Sequence, residues 1–141
     1  LIGKTPLDCY PCLRVRGQVA AEAHDWPAAE RWSAEAVRQG PSITFAYAEW
    51  AQARLARGDA DGAIALSKQA VAKAPRFADP LETWGEALMA KGDFADAADR
   101  VAAADKLAPH WAANHLQWSQ ALTKLGKADE ARAQLKAAGR P

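Results

Sequence analysis

The chain has 141 residues, 50% of them hydrophobic and 25% charged, an ordinary globular composition that excludes a disordered or fibrous class. With 18 Lys and Arg against 17 Asp and Glu, the formal net charge is +1, so no bulk field favours nucleic acid or an anionic membrane as partner. No apolar run approaches the roughly 20 residues that cross a bilayer, and the first residues, Leu1 to Pro6, lack the basic-then-apolar order of a signal peptide.

Residues 1–9 hold Gly3 and Pro6 and no helical period, which predicts an extended lead-in. The start at Leu1 rather than Met is consistent with a piece of a larger protein or assembly, and the compartment is left open with the cytoplasm favoured. A first helix is expected from about Tyr10 to Ala23, with Leu13, Ala20 and Ala21 apolar and Gly17 allowing close approach; His24-Asp25 ends it. The next, about Trp26 to Gln39, opens with Pro27, whose missing N–H is tolerated in a first turn, and stops at Gly40-Pro41. A third starts near Thr44, read as its N-cap, and turns at Arg57-Gly58-Asp59; a fourth covers about Ala60 to Lys73. The plan then repeats, with Leu81, Trp84, Gly85 and Leu88 followed by Phe94, Ala97, Val101 and Ala104, and finally Trp118, Leu122 and Leu125 followed by Ala128, Ala131, Leu135 and Ala138. No stretch alternates as a strand does, so the fold class is all-α.

One period runs through these elements. Gly92-Asp93, Ala97, Ala104 and Pro109 stand 34 residues after Gly58-Asp59, Ala63, Ala70 and Pro75, and those stand 34 after His24-Asp25, Ala29, Ala36 and Pro41. Gly126-Lys127, Ala131 and Ala138 continue the series, and Trp50, Trp84 and Trp118 keep the same spacing. Such a helix pair cannot bury its apolar faces alone, so stacking on its neighbours must supply the stability.

These residues resemble the tetratricopeptide repeat, a unit of 34 residues with the pattern W-x2-L-G-x2-Y, A-x3-F and P. The third unit carries the likeness best, with Leu81-x2-Trp84-Gly85-x2-Leu88, Ala97-x3-Val101 and Pro109. Trp stands where the family usually has Leu, Ala51 and Ser119 replace the first Gly, Arg54 takes a position normally aromatic or apolar, and Arg16 stands where the other units have Trp. The resemblance implies a single domain over residues 10–141, a right-handed solenoid of about four antiparallel helix–turn–helix repeats at about 10–43, 44–77, 78–111 and 112–141. It also implies a non-catalytic interaction module that holds a peptide or protein in a concave groove lined by the first helix of each pair. By position, the groove residues are Arg14 and Gln18; Glu49 and Gln52; Asp79, Glu82, Thr83 and Glu86; and Gln117, Gln120 and Lys124. Gln18, Gln52, Glu86 and Gln120 share one repeat position, and such long amides and a carboxylate suit the backbone of an extended peptide. The acidic middle of the groove predicts a basic or neutral ligand. Chaperone-binding members use Lys, Asn and Arg to clamp a terminal carboxylate; Arg14 is the one match, which argues against that partner.

Cys9-Tyr10-Pro11-Cys12 is a C-x-x-C motif at the start of the first helix, where a helix N-terminus lowers a thiol's pKa. Packing or an incidental disulfide is the leading expectation; a redox role, or a metal role shared with another part, is the alternative. Leu13 stands where a c-type haem site needs His, and a zinc site lacks a second ligand pair among His24, His110 and His115. Asp59-Ala60-Asp61-Gly62 is similar to part of a calcium loop, but Arg57 and Lys68 occupy ligand positions, so no metal or cofactor is expected. Trp26, Trp32 and Trp111 are candidate partner anchors whose commoner use is packing. The last helix, about Ala128 to Ala138, has no following helix, so Ala131 and Leu135 are expected to be exposed and to make either a homo-oligomeric end-to-end contact or a junction with further sequence beyond Pro141.

Overall fold

A computed structural model describes residues 9–109 and 111–139. The expected lead-in therefore lies outside the described residues except for Cys9, as do His110, Arg140 and Pro141. Among the described residues there are eight α-helices and no strand: α1 (Tyr10–Glu22), α2 (Trp26–Gln39), α3 (Thr44–Ala56), α4 (Ala60–Lys73), α5 (Asp79–Lys91), α6 (Phe94–Leu107), α7 (Ala112–Lys124) and α8 (Ala128–Ala137).

The repeated turn chemistry sets these boundaries. Between the two helices of each pair the backbone must pass through positive φ, and Gly58, Gly92 and Gly126 do so at 92°, 80° and 76°. His24 takes the same place at 59° and is the one non-glycine residue in that region among those described. The Asp that follows the turn caps the next helix: Asp25, Asp59 and Asp93 accept from the backbone N–H of Ala28, Gly62 and Asp96 at 3.2, 2.9 and 3.5 Å. Such a cap stabilises a helix by about 1 kcal/mol. Lys127 makes no side-chain cap at the head of α8. Thr44 is not the cap of α3. Ile43 holds that position, and the Thr44 hydroxyl instead donates to the carbonyl of Ala70 at 3.0 Å, tying α3 to the end of α4.

The helices fall into two compact units, one ending at Ala74 and one beginning at Pro75. In the first, α1 packs on α2 and α3, and α3 on α4. Leu13, Ala36 and Ala46 form a buried cluster against which Tyr10, Trp32 and Val37 pack. Gly17 lies at the crossing of α1 and α2, where a Cβ would come within 2.9 Å of the Ser33 hydroxyl. In the second unit α5 packs on α6 and α7, α6 on α7, and α7 on α8. There Gly85 is the close crossing, with a Cβ position 2.7 Å from Val101 Cγ2 and 3.6 Å from the carbonyl of Ala97. Ala29, Ala63, Ala97 and Ala131, one per repeat, are all buried. This corrects the expectation for Ala131: it occupies the crossing position of its own helix pair, so α7 covers it and only Leu135 stays partly open.

Candidate functional site

In the first unit the exposed sides of α1 and α3 border an open cleft of about 430 Å³, and Arg14, Gln18, Glu49 and Gln52 all line it. Gln18 and Gln52 are exposed at its mouth. Arg14 and Glu49 are half-buried and paired across the two helices, with Arg14 Nε donating to Glu49 Oε2 at 2.8 Å and Nη2 to Glu49 Oε1. The guanidinium also lies 5.0 Å from the Phe45 ring centroid and 5.8 Å from that of Tyr10. The hydrogen bond to Glu49 and that carboxylate's charge hold the Arg14 pKa above its ordinary value. The Tyr10 hydroxyl accepts from the Ala46 N–H at 3.2 Å, and burial pushes its pKa up.

In the second unit α5 supplies Asp79, Glu82 and Glu86. Burial pushes the Glu82 carboxyl up to about 7, with Asp79 and Glu86 adding to the rise and the amide of Asn114 opposing it. Burial also raises Glu86, against the effect of Gln117. Thr83 is buried, and its hydroxyl donates to the carbonyl of Asp79 in its own helix at 3.2 Å, so it offers nothing outward. From α7, Gln117 is half-buried while Gln120 and Lys124 are exposed. Glu82 Oε1, Asn114 Nδ2 and Gln117 Oε1 are all buried without a hydrogen-bond partner. Asn114 was not a sequence candidate. The signal was present: its repeat position holds Cys12, Ala46 and Pro80, and a lone amide in such a row is the exception.

The next position has the same history. His115 stands where the other repeats have Leu13, Tyr47 and Leu81, and it is buried. Its Nδ1 lies 2.8 Å from Gln134 Oε1 and its Nε2 3.4 Å from Asp105 Oδ1, so one ring ties α7 to both α8 and α6. With both nitrogens facing partners inside the unit, this histidine reads as packing chemistry.

Cys9 and Cys12 are joined in a disulfide, and Cys9 Sγ accepts from the Cys12 N–H at 3.3 Å at the head of α1. An oxidised pair has no thiolate for nucleophilic or metal chemistry, and among the described residues no group of His, Cys, Asp and Glu is arranged to hold a metal ion. The Asp59 carboxylate is already engaged by the Gly62 N–H, Arg54 and Arg57, which together hold its pKa low. Trp111 is exposed, while Trp26 and Trp32 are half-buried; Arg16 and Arg31 stack on Trp32 at 4.6 and 4.5 Å.

No family model and no curated protein matches the sequence. Solved structures do. The crystal structure of TTC0263, a thermophilic TPR protein of Thermus thermophilus, is 25% identical, covers 92% of this chain and 73% of its own, and superposes with a TM-score of 0.79. MamA 41-end from Desulfovibrio magneticus RS-1 is 16% identical over 94% of this chain and 75% of its own, with a TM-score of 0.82. The second TPR of Spaghetti (RPAP3), solved bound to the HSP90 peptide SRMEEVD, is 17% identical over 72% of this chain and 94% of its own, with a TM-score of 0.67. Turns in one 34-residue register, eight paired helices among the described residues and this likeness give the chain an all-α helical-repeat fold of the tetratricopeptide-repeat type.

Proposed function

We propose that the chain is a non-catalytic module in which each unit offers a peptide or protein segment the exposed faces of its own first helices, α1 and α3 in one unit and α5 and α7 in the other. The observation that carries this reading is the convergence of Arg14, Gln18, Glu49 and Gln52, chosen from the sequence alone, on one open cleft. Their chemistry suits main-chain recognition, since the exposed amides of Gln18 and Gln52 can each donate and accept along an extended backbone.

The ligand is basic or neutral. The peptide SRMEEVD bound by the RPAP3 repeat carries three carboxylate side chains. Here the one cation matching a carboxylate clamp, Arg14, is already paired with Glu49, and the α5 face presents Asp79, Glu82 and Glu86. An acidic peptide would meet like charge there. The test is selection of peptides from a random display library on the intact chain, followed by affinity measurement on a Gln52→Ala, Glu82→Ala, Glu86→Ala variant whose helicity is checked by circular dichroism. Loss of at least roughly tenfold in affinity, a little under the worth of one hydrogen bond to a charged group, is expected. Equal affinity in a folded variant would remove the first-helix faces from the account.

A second reading rests on the Cys9–Cys12 disulfide, which gives the chain a site for exchange with an external dithiol while the repeats dock the partner. Exchange would reduce this disulfide to two thiols and oxidise the dithiol to a disulfide, the two protons passing from the dithiol to Cys9 and Cys12. Mass measurement after alkylation, with and without prior reduction, decides it: a disulfide that resists a dithiol such as reduced thioredoxin ends this reading. Self-assembly through α8 draws less support, because Ala131 is buried within its own unit.

A further inference from the structure

The open cleft of the first unit has small and apolar walls as well as the polar residues described above. Gly17, Ala36 and Ala46 line it and are buried, Ala21 and Ala53 line it and are half-buried, and the buried Ser33 contributes a hydroxyl. Repeat position explains why this space is open. Positions 55 and 89, which correspond to 21, hold Leu55 and Met89, and position 101, which corresponds to 33, holds Val101. In the second unit Met89 is half-buried and Val101 fully buried, its Cγ2 lying 2.7 Å from where a Cβ on Gly85 would stand. In the first unit Ala21 and Ser33 take those places beside Gly17, so the thioether side chain and the valine branch are missing, and about 430 Å³ stands open to solvent.

An aromatic wall completes the space. Trp26, half-buried, lines the same cleft, and the His24 ring meets it edge-on with the centroids 5.2 Å apart. His24 holds φ 59°, where the later turns have Gly, so an imidazole is kept against the indole in a backbone conformation that favours glycine.

We propose that this part of the α1–α3 cleft is a subsite for one long aliphatic side chain of the bound segment, methionine or leucine, which takes up the space that Met89 and Val101 fill in the second unit. This rests on the peptide-binding reading above and names the residue class that the cleft selects. Burying such a side chain against the alanines removes apolar surface of both partners from water. Methionine suits the space well, because its flexible thioether fills irregular gaps and its sulfur is a weak acceptor for the Ser33 hydroxyl. The charges disfavour lysine there. Glu49 already receives both prongs of Arg14, and the other lining carboxylate, Glu22, is at the exposed rim, so an ammonium carried inward would meet no free counter-ion.

Labelling the intact chain with 13C at the alanine methyl groups places reporters on the lining itself, at Ala21, Ala53 and Ala56. The labelled chain is titrated with Nα-acetyl-methionine N-methylamide, with the alanine and lysine analogues run in parallel. Saturable shifts of those methyl signals are expected with the methionine probe, at least roughly tenfold weaker with the alanine analogue, the worth of about two buried methylene groups, and weaker with lysine than with methionine. Ala21→Met, which restores the residue type of position 89, should keep a folded backbone spectrum and lose the response at Ala53 and Ala56. Absence of a saturable shift with the methionine probe, an alanine or lysine response as strong as that of methionine, or an unchanged response in folded Ala21→Met would overturn the assignment. If that variant does not fold, the ranking of the probes on the unaltered chain decides alone. Peptide capture is measured separately in the display assay, so failure here leaves that reading standing or falling on its own result.

Discussion

Arg54 on α3 reaches back to Glu30 on α2 with both prongs of its guanidinium, Nε to Oε1 at 2.9 Å and Nη2 to Oε2 at 2.8 Å. The same side chain contacts Asp59 at 3.2 Å and stacks on Trp50 at 5.3 Å. This accounts for a charged residue where the repeat pattern has an aromatic or apolar one: the stem and guanidinium plane cover Trp50 as a ring would, and the charge closes a carboxylate network. Burial pushes Glu30 up, but the two bonds from Arg54, the nearby Trp50 indole and the charges of Arg54 and Arg57 outweigh it, and the net shift is downward.

Arg54→Leu is therefore expected to destabilise the protein by about 1 kcal/mol, near the top of the range for partly exposed pairs because the geometry is two-pronged. Since the folded-state pKa of Glu30 lies below its ordinary 4.5, this stability is present above about pH 4.5 and is lost as pH falls through the lower value. Thermal melts at pH 7 and pH 3 check it. The difference between wild type and variant should shrink at pH 3, and adding Glu30→Gln should recover most of the loss at pH 7.

Glu82 has the opposite sign. Its carboxyl is raised from 4.5 to about 7, so the folded state holds the proton more tightly than the unfolded chain does. Its contribution is fully favourable below about pH 4.5 and is lost as pH rises through 7. Glu82→Gln should raise the melting temperature at pH 8 and change it little at pH 4. The facing groups are Asp79 and Glu86 on α5 and the uncharged Asn114 and Gln117 on α7, so added salt should reduce the part of the effect that comes from the two neighbouring carboxylates.

The crossing glycines should differ. A Cβ at Gly85 meets Val101 Cγ2 at 2.7 Å, on a β-branched side chain with little freedom, whereas at Gly17 the nearest atom is the Ser33 hydroxyl at 2.9 Å, which can rotate. Gly85→Ala is expected to cost about 1–3 kcal/mol through overpacking, more than the roughly 1 kcal/mol that Ala adds in helix propensity. Gly17→Ala should be near neutral. Denaturant unfolding of both variants separates the two cases.

Most of the fold was legible in the sequence because turn chemistry recurs every 34 residues: the glycines and His24 mark the breaks, the aspartates after them mark the starts, and helix ends follow to within a residue or so. Thr44 misled because a hydroxyl near a helix start can serve a neighbouring helix as readily as its own. Ala131 misled because the exposure of a last helix was judged from the helix missing after it, while its position in the repeat assigned it to the crossing with α7. The candidate site was half legible. Repeat position selected Gln18, Gln52, Glu86, Gln120 and Lys124, which are exposed, but also Thr83, which is buried and bonded within its own helix, and the pairing of Arg14 with Glu49, 35 residues apart, depends on the approach of two helices and on rotamers. Asn114 and His115 sit in rows otherwise filled by apolar or small residues, so their polarity was visible, while the partners of His115 on α6 and α8 were not.

The central claim is that the first helix of each pair meets the partner. A peptide selected on the intact chain, titrated into the 15N-labelled protein, tests it most directly. Amide shift changes should concentrate on α1 and α3, α5 and α7, with Gln18, Gln52, Glu86 and Gln120 among the residues most affected. Changes concentrated on α2, α4, α6 and α8, with the first helices silent, would contradict it.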